Sequence, residues 1–293
     1  MSRRDLQRHQ QFDDVSPEVG ELDERAFDRA MDDDLDEALT MLADLTGATD
    51  ERLRDLARAL AGRVLVDLAR TGAARRRGIG RLRASRASVA SGDIDVDASL
   101  DAIAAARSQR RPVTADDLTV QTWARPDTAL CLLVDRSGSM KGDRLASAAI
   151  AAAAVLYRQG QDCSVVSFSN TAIVVKAQDE QREADEVVGD LLRLRGHGVT
   201  DLGLALRTAA AQLGRSRAGR RITLLLSDAR STAGDDPHLD AAALAALGEL
   251  AIIAPEGDTA DAEALATAVG GRWIGLAGPS AIPDAIAAAL LQS

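Results

Sequence analysis

The chain has 293 residues, 46% of them apolar and only 2% aromatic, and a formal net charge of -10. That length allows one large or two modest domains with ample apolar material for a core. The acidity argues against a nucleic-acid partner, and the scarcity of rings against stacking on bases or sugars. No opening apolar stretch resembles a signal peptide and no run approaches the roughly 20 apolar residues of a membrane span, so the protein is expected to be soluble and cytoplasmic. The two cysteines, Cys131 and Cys163, sit within apolar runs and read as small buried hydrophobes; they offer neither a disulfide nor a structural zinc site.

From the N-terminus, Asp13 to Glu37 is dense in acid, and a short helix is expected around Asp23 to Met31. Leu35, Ala38, Leu39, Leu42 and Leu45 then recur at helical spacing, as do Leu53, Leu56, Ala57, Leu60, Ala61, Val64, Leu65 and Leu68. Gly47 and Thr49 lie between the two runs as stop and N-cap, giving a helical hairpin. Each apolar face must be covered, so the segment is either a small helical domain or a partner-binding arm. Arg75-Arg76-Arg77, Arg81, Arg83 and Arg86 form a basic run read as a solvated linker, with a clasp for an acidic surface as the alternative. Leu100, Ile103 and Ala104 suggest one more short helix stopped by Arg110-Arg111-Pro112, and the alternation from Leu118 to Trp123 suggests a short strand leading into a second domain. The domain division expected from these patterns is a helical region with basic linker over 1–115 and the second domain over 116–293.

The second domain alternates apolar runs with helical patterns. Ala129-Leu130-Cys131-Leu132-Leu133-Val134 reads as a strand buried on both faces, followed by an Ala-rich helix from about Asp143 to Arg158. Ser164 to Phe168 and Ala172 to Lys176 flank the short turn Ser169-Asn170-Thr171 as a hairpin. Strands are expected at Ile222 to Ser227, Leu250 to Ala254 and Arg272 to Gly275, and helices at about Leu239 to Leu247, Asp261 to Val269 and Ile282 to Leu291. The crossover rule turns this order into an α/β fold, a doubly wound, mainly parallel sheet of six strands with one antiparallel edge.

Chemistry concentrates at three strand or helix ends. Asp135-Arg136-Ser137-Gly138-Ser139 comes after the first strand, Gly198-Val199-Thr200-Asp201 opens a helix, and Ser227-Asp228 ends a second buried strand. In an open parallel sheet such loops gather at the carboxyl ends of the strands, and their hard oxygens suit a hard cation, Mg²⁺ or Mn²⁺. Together, Asp135, Ser137, Ser139, Thr200 and Asp228 resemble the metal-ion-dependent adhesion site (MIDAS) of the von Willebrand factor A (VWA) family, over about Thr128 to Leu291. The resemblance implies that Ser137 and Ser139 bind metal directly, Thr200 directly or through water, and Asp135 and Asp228 mostly through water. Ala229 departs from the pattern, where Gly is frequent. Arg136 and Lys141 read as solvated charges, with contact to an acidic partner as the alternative; His197 reads as a loop histidine without a role.

Neutral hydroxyls leave such a cation electrophilic, ready for a carboxylate from another protein. No nucleophile is paired with a base, and G-x-G-x-x-G after a strand, G-x-x-x-x-G-K-[ST] and G-x-S-x-G are all missing, so a binding protein rather than an enzyme is expected. The arrangement of a helical N-terminal part and a C-terminal metal-site domain is similar to intracellular bacterial proteins that work beside AAA+ ATPases of the MoxR type, to CoxE-like proteins and to the A-domain part of magnesium-chelatase D subunits. The first likeness implies a chaperone-like adaptor in the remodelling or maturation of a target complex, with a MoxR-type ATPase or an acidic client as partner. The last implies a chelatase-like subunit in metal insertion into a tetrapyrrole, although the N-terminal part is short for its ATPase-like module and the linker is basic.

Overall fold

The computed structural model describes residues 1–73, 81–87, 93–124, 128–136, 143–159, 162–194 and 198–290. Two units emerge, one formed by Met1–Arg75 with Thr128–Ser293 and the other by Arg76–Asp127. In the first, α1 (Arg3–Leu6), α2 (Phe12–Val15), α3 (Glu24–Asp33), α4 (Leu35–Leu45) and α5 (Glu51–Ala73) open the chain. Aspartates start the longer helices: Asp23 accepts from the Arg25 and Ala26 amides, Asp34 from Glu37 and Asp50 from Leu53. The cap of α5 is therefore Asp50, one residue beyond Thr49, whose hydroxyl donates to the Met1 carbonyl instead. His9 ties the first turns to α4, its ring nitrogens lying 2.7 Å from Glu37 Oε1 and 3.0 Å from Asp44 Oδ2. Arg8 pairs with the same Asp44 carboxylate.

The second unit is a small antiparallel sheet with one helix. β1 (Arg81–Arg86), β2 (Asp93–Ile94) and β3 (Thr119–Ala124) pair in the order β1-β3-β2, with α6 (Val96–Ser108) between β2 and β3. Arg81 to Arg86, read from sequence as linker, is thus a strand, because each residue finds a register partner from Ala124 back to Thr119 on β3. The strand expected to lead into the larger sheet is β3, and it belongs to this small sheet instead. An Arg111–Asp117 ion pair, with Nη2 2.5 Å from Oδ1, holds the turn before β3 and keeps the Asp117 carboxyl well below the usual range.

The remaining elements are β4 (Thr128–Asp135), α7 (Asp143–Gln159), β5 (Cys163–Phe168), β6 (Ala172–Lys176), α8 (Ala184–Arg193), α9 (Leu202–Leu213), β7 (Arg220–Leu226), α10 (Pro237–Leu247), β8 (Glu249–Pro255), α11 (Ala260–Ala268), β9 (Arg272–Leu276) and α12 (Ile282–Leu290). The sheet order is β6-β5-β4-β7-β8-β9, parallel throughout except for the edge strand β6. The order reverses between β4 and β7, whose pairing runs from Thr128↔Arg220 to Val134↔Leu226. Alternate residues of β4 serve two cores. Leu130, Leu132 and Val134 join one with α7, α8 and α12, while Ala129, Cys131 and Leu133 join another with α9, α10 and α11.

Helix α7 explains where the N-terminal helices belong. Ala148 to Val155 is fully buried residue after residue, because the sheet lies on one side and α4 and α5 pack on the other. An all-round buried helix must be made of small side chains, and the Ala-rich sequence of α7 provides them. Leu53, Ala57, Leu60, Ala61 and Leu65 of α5 share one continuous core with Ala149 and Ile150 of α7. Where the sequence pattern changes at 115/116, the structure instead joins residues 1–75 to the sheet, because the apolar face of α5 is covered by α7.

Candidate functional site

Asp135 is the last residue of β4, and the β4–β7 register brings it level with Ser227. Its carboxylate is 3% exposed and accepts a 2.8 Å hydrogen bond from Ser227 Oγ. The same hydroxyl accepts from the Ala229 amide at 3.0 Å, so one serine side chain fixes both the first carboxylate and the turn after β7. Ala229 has φ 63°, in the left-handed region. That conformation costs an L-residue about 1–2 kcal/mol and a glycine almost nothing, which is the physical reason for glycine at such a position. Ala229 adopts it nonetheless. Beside it, Asp228 Oδ1 accepts from the Arg230 amide at 3.1 Å.

Thr200 is drawn to the same place from both sides. Its amide donates to Thr232 Oγ1 at 2.9 Å, and its carbonyl accepts from the Thr232 and Ala233 amides at 2.9 and 3.0 Å. The next residue, Asp201, caps α9 through the Leu204 amide at 2.8 Å and donates its own N–H to the Ser169 carbonyl at 2.9 Å. Gly234, at φ 80°, comes so near that a Cβ there would lie 2.5 Å from the Asp201 carboxylate. The β5–β6 turn completes the junction, since the Arg136 amide donates to the Phe168 carbonyl at 2.7 Å. The loops carrying Asp135, Thr200 and Asp228 are thus joined by direct hydrogen bonds at the point where strand order reverses, the place where open α/β sheets bind ligands.

Ser137 and Ser139 lie outside the described residues, as do Lys141 and His197. Arg136 differs from its expected role as a solvated charge: it is 7% exposed, and its guanidinium donates to Thr171 Oγ1 at 2.7 Å, so it braces the β5–β6 turn. Arg144, in the first turn of α7, stands 3.5 Å from Asp228 Oδ2 and is not marked out by the sequence. Neither is Arg230, which pairs with Asp258 at 2.6 Å and Asp261 at 3.1 Å. Nothing in a one-dimensional pattern identifies a helix arginine as the neighbour of a carboxylate more than 80 residues away. Among the described residues no group of three or more His, Cys, Asp or Glu side chains is placed to hold a metal. The donors here are instead two carboxylates and a threonine hydroxyl, all hard oxygens, and they fit a hard cation rather than a soft one.

Residues 130–230 match the model of the von Willebrand factor type A domain family. This segment is similar to von Willebrand factor type A domains. Several solved structures resemble it at low identity. Proximal thread matrix protein 1 from the mussel byssus, solved with a zinc-occupied MIDAS motif, is 16% identical at a TM-score of 0.43, over 56% of this chain and 47% of that one. An aerotolerance-related membrane protein from Bacteroides fragilis NCTC 9343 is 14% identical at 0.46, over 55% and 97%. A von Willebrand factor type A protein from Catenulispora acidiphila is 16% identical at 0.44, over 57% and 42%. The chain spans less than half the length of the mussel protein it matches. No curated protein sequence matches it. In this segment Asp135 ends β4 and Asp228 lies in the turn after the neighbouring strand β7, and among the described residues no helix is long and apolar enough to cross a membrane.

Proposed function

We propose that the A domain holds Mg²⁺ or Mn²⁺ with Asp135, Ser137, Ser139, Thr200 and Asp228, and that the site binds an acidic segment of a partner protein. The observation that carries this reading is the joining of the Asp135, Thr200 and Asp228 loops, through Ser227, Thr232 and Ser169, at the reversal of strand order. When bound, the cation supplies an open coordination position for a carboxylate oxygen. The chain's own residues do the rest. Ser227 fixes the orientation of the Asp135 carboxylate, the Arg230 amide holds Asp228, and the paired backbone of Thr200 keeps its side chain at the junction. Arg144 partly neutralises Asp228, which limits repulsion between the two carboxylates.

The role we assign is that of a cytoplasmic, non-enzymatic adaptor working with a MoxR-type AAA+ ATPase in remodelling or maturation of a target complex. Its support is the likeness of the residue pattern to A-domain proteins of that kind, together with a helical segment built onto the same unit as the sheet. The test is capture of partners from native extract by tagged protein in Mg²⁺ and in EDTA, with Asp135→Ala as control. An AAA+ ATPase or acidic client retained only by wild type in Mg²⁺ is the expected result. The same partners in all three samples would remove the metal site from the function.

A further inference from the structure

Helix α6 of the small unit leaves most of its surface in water. Only Ser99 and Ala106 of its 13 residues are buried. Ser99 fixes that side of the helix, since its hydroxyl donates to the Asp95 carbonyl at 2.6 Å and accepts from the Thr119 amide of β3 at 2.9 Å. About a quarter turn round the helix, Val96 is 61% exposed and Leu100 54%, and Ala104, one turn further on, is exposed as well. Ile94, just ahead of the helix, is also exposed. Large aliphatic side chains one turn apart on an open helix face mark a surface that another element covers. The charges of α6 divide along its length. Asp97 and Asp101 stand in the first half and Arg107 in the last turn, all three of them exposed.

We infer that α6 pairs with α6 of a second copy of this chain, antiparallel about a two-fold axis. Bulk and charge together choose that occupant. Along the exposed line the large side chains, Val96 and Leu100, come first and the small ones, Ala104 and Ser108, come last. Acid and base follow the same division, so the complement of this surface is the same surface reversed end for end. With the axis at residue 102, midway between Asp97 and Arg107, Leu100 of each copy lies over Ala104 of the other and Val96 over Ser108. Arg107 of each copy then meets Asp97 of the other, so the ion pair forms twice. A parallel pair would set Asp97 against Asp97 and Arg107 against Arg107. A partner of one charge would suit one half of the helix and oppose the other. Thirteen residues make a helix of about 20 Å, which puts the contact below the roughly 1,200 Å² of standard interfaces, so the pair is reversible and of micromolar order.

Sedimentation velocity of the full chain at low salt, over about 1–200 µM, reads the association. The expected result is a sedimentation coefficient that rises with concentration toward that of a dimer. Leu100→Asp, at an exposed position, should weaken the pairing by about tenfold or more. Asp97→Arg and Arg107→Asp each turn two attractions into two repulsions, and each alone should weaken it by about tenfold. An equimolar mixture of these two variants restores opposite charges at both ends of a mixed pair, and should recover the wild-type association. Contacts within one chain or with an unrelated protein cannot produce that recovery, which also shows that both variants fold. A wild type that stays monomeric across the range overturns the pairing. So do charge variants that associate as wild type does, and a mixture that associates no better than its components.

Discussion

The contact between Asp36 and the turn after β9 yields a double-mutant cycle with a definite sign. Asp36 makes two hydrogen bonds to Ser280, and a Cβ added at Gly278 would lie 2.5 Å from Asp36 Oδ2 and 2.9 Å from Oδ1. Gly278 has φ -168°, extended backbone open to any residue, so alanine there is opposed only by the carboxylate. Hydrogen bonds to a charged group contribute about 1.5–3 kcal/mol, and the half-exposed position of Asp36 places the pair at about 2 kcal/mol. Asp36→Ala loses that amount directly. Gly278→Ala loses nearly the same amount, because the new methyl displaces the carboxylate and breaks both bonds. The double variant should therefore lose about 2 kcal/mol rather than about 4, a coupling of about 2 kcal/mol between residues far apart in sequence. Urea unfolding at constant m-value measures each corner of the cycle. Additive losses, or a loss below about 0.5 kcal/mol for Asp36→Ala, would refute the clamp.

Three other outcomes are expected. His9, buried between Asp44 and Glu37, has its pKa raised above 6.5, chiefly by the hydrogen bond to Asp44 against the opposing effect of burial. Its stabilisation is fully present below pH 6.5 and is lost as pH rises through the higher folded value, so the urea midpoint should fall across that window in wild type and stay flat in His9→Gln. Saturating Mg²⁺, at about 100 times its dissociation constant, should add about 2.7 kcal/mol and raise the melting temperature by about 5–10 °C relative to EDTA; Asp228→Ala should abolish the difference, and a wild type indifferent to EDTA would count against the metal. Burial pushes the Cys131 thiol up to about 12 and the Cys163 thiol to about 11, so a thiol reagent at pH 8 should label neither until denaturant is added, and rapid labelling of the native chain would contradict the packing of β4 and β5.

Much of the six-stranded sheet and its helices is legible in the sequence because the signals are local. Six apolar residues before Asp135 specify a strand covered on both faces, and β4 is that strand. The expected hairpin, the six-stranded order and the helices near 239, 261 and 282 follow from similar runs and their lengths. Helix α8 escapes such a reading although Val187, Val188, Leu191 and Leu192 are buried at helical spacing, because a long polar stretch precedes it. The basic run misleads for another reason: alternating arginines look solvated until a partner strand is known, and β3 lies more than 30 residues on. Of the site, the strand-end aspartates and Thr200 are visible as motif. Arg144, the bracing role of Arg136 and the grip of Thr232 on Thr200 are not, since each depends on loops that only the fold brings together.

Because α7 is enclosed on both sides, its outer surface has no version suited to water. A fragment cut to the limits of the family match, or beginning at Thr128, would bare a stripe of alanines and Ile150 normally covered by α4 and α5. Each large apolar side chain so uncovered forfeits about 1.5–3 kcal/mol, and an exposed apolar stripe invites association between fragments. Dissection of this protein therefore has to keep α4 and α5 with the sheet, because parting them from α7 uncovers its apolar face.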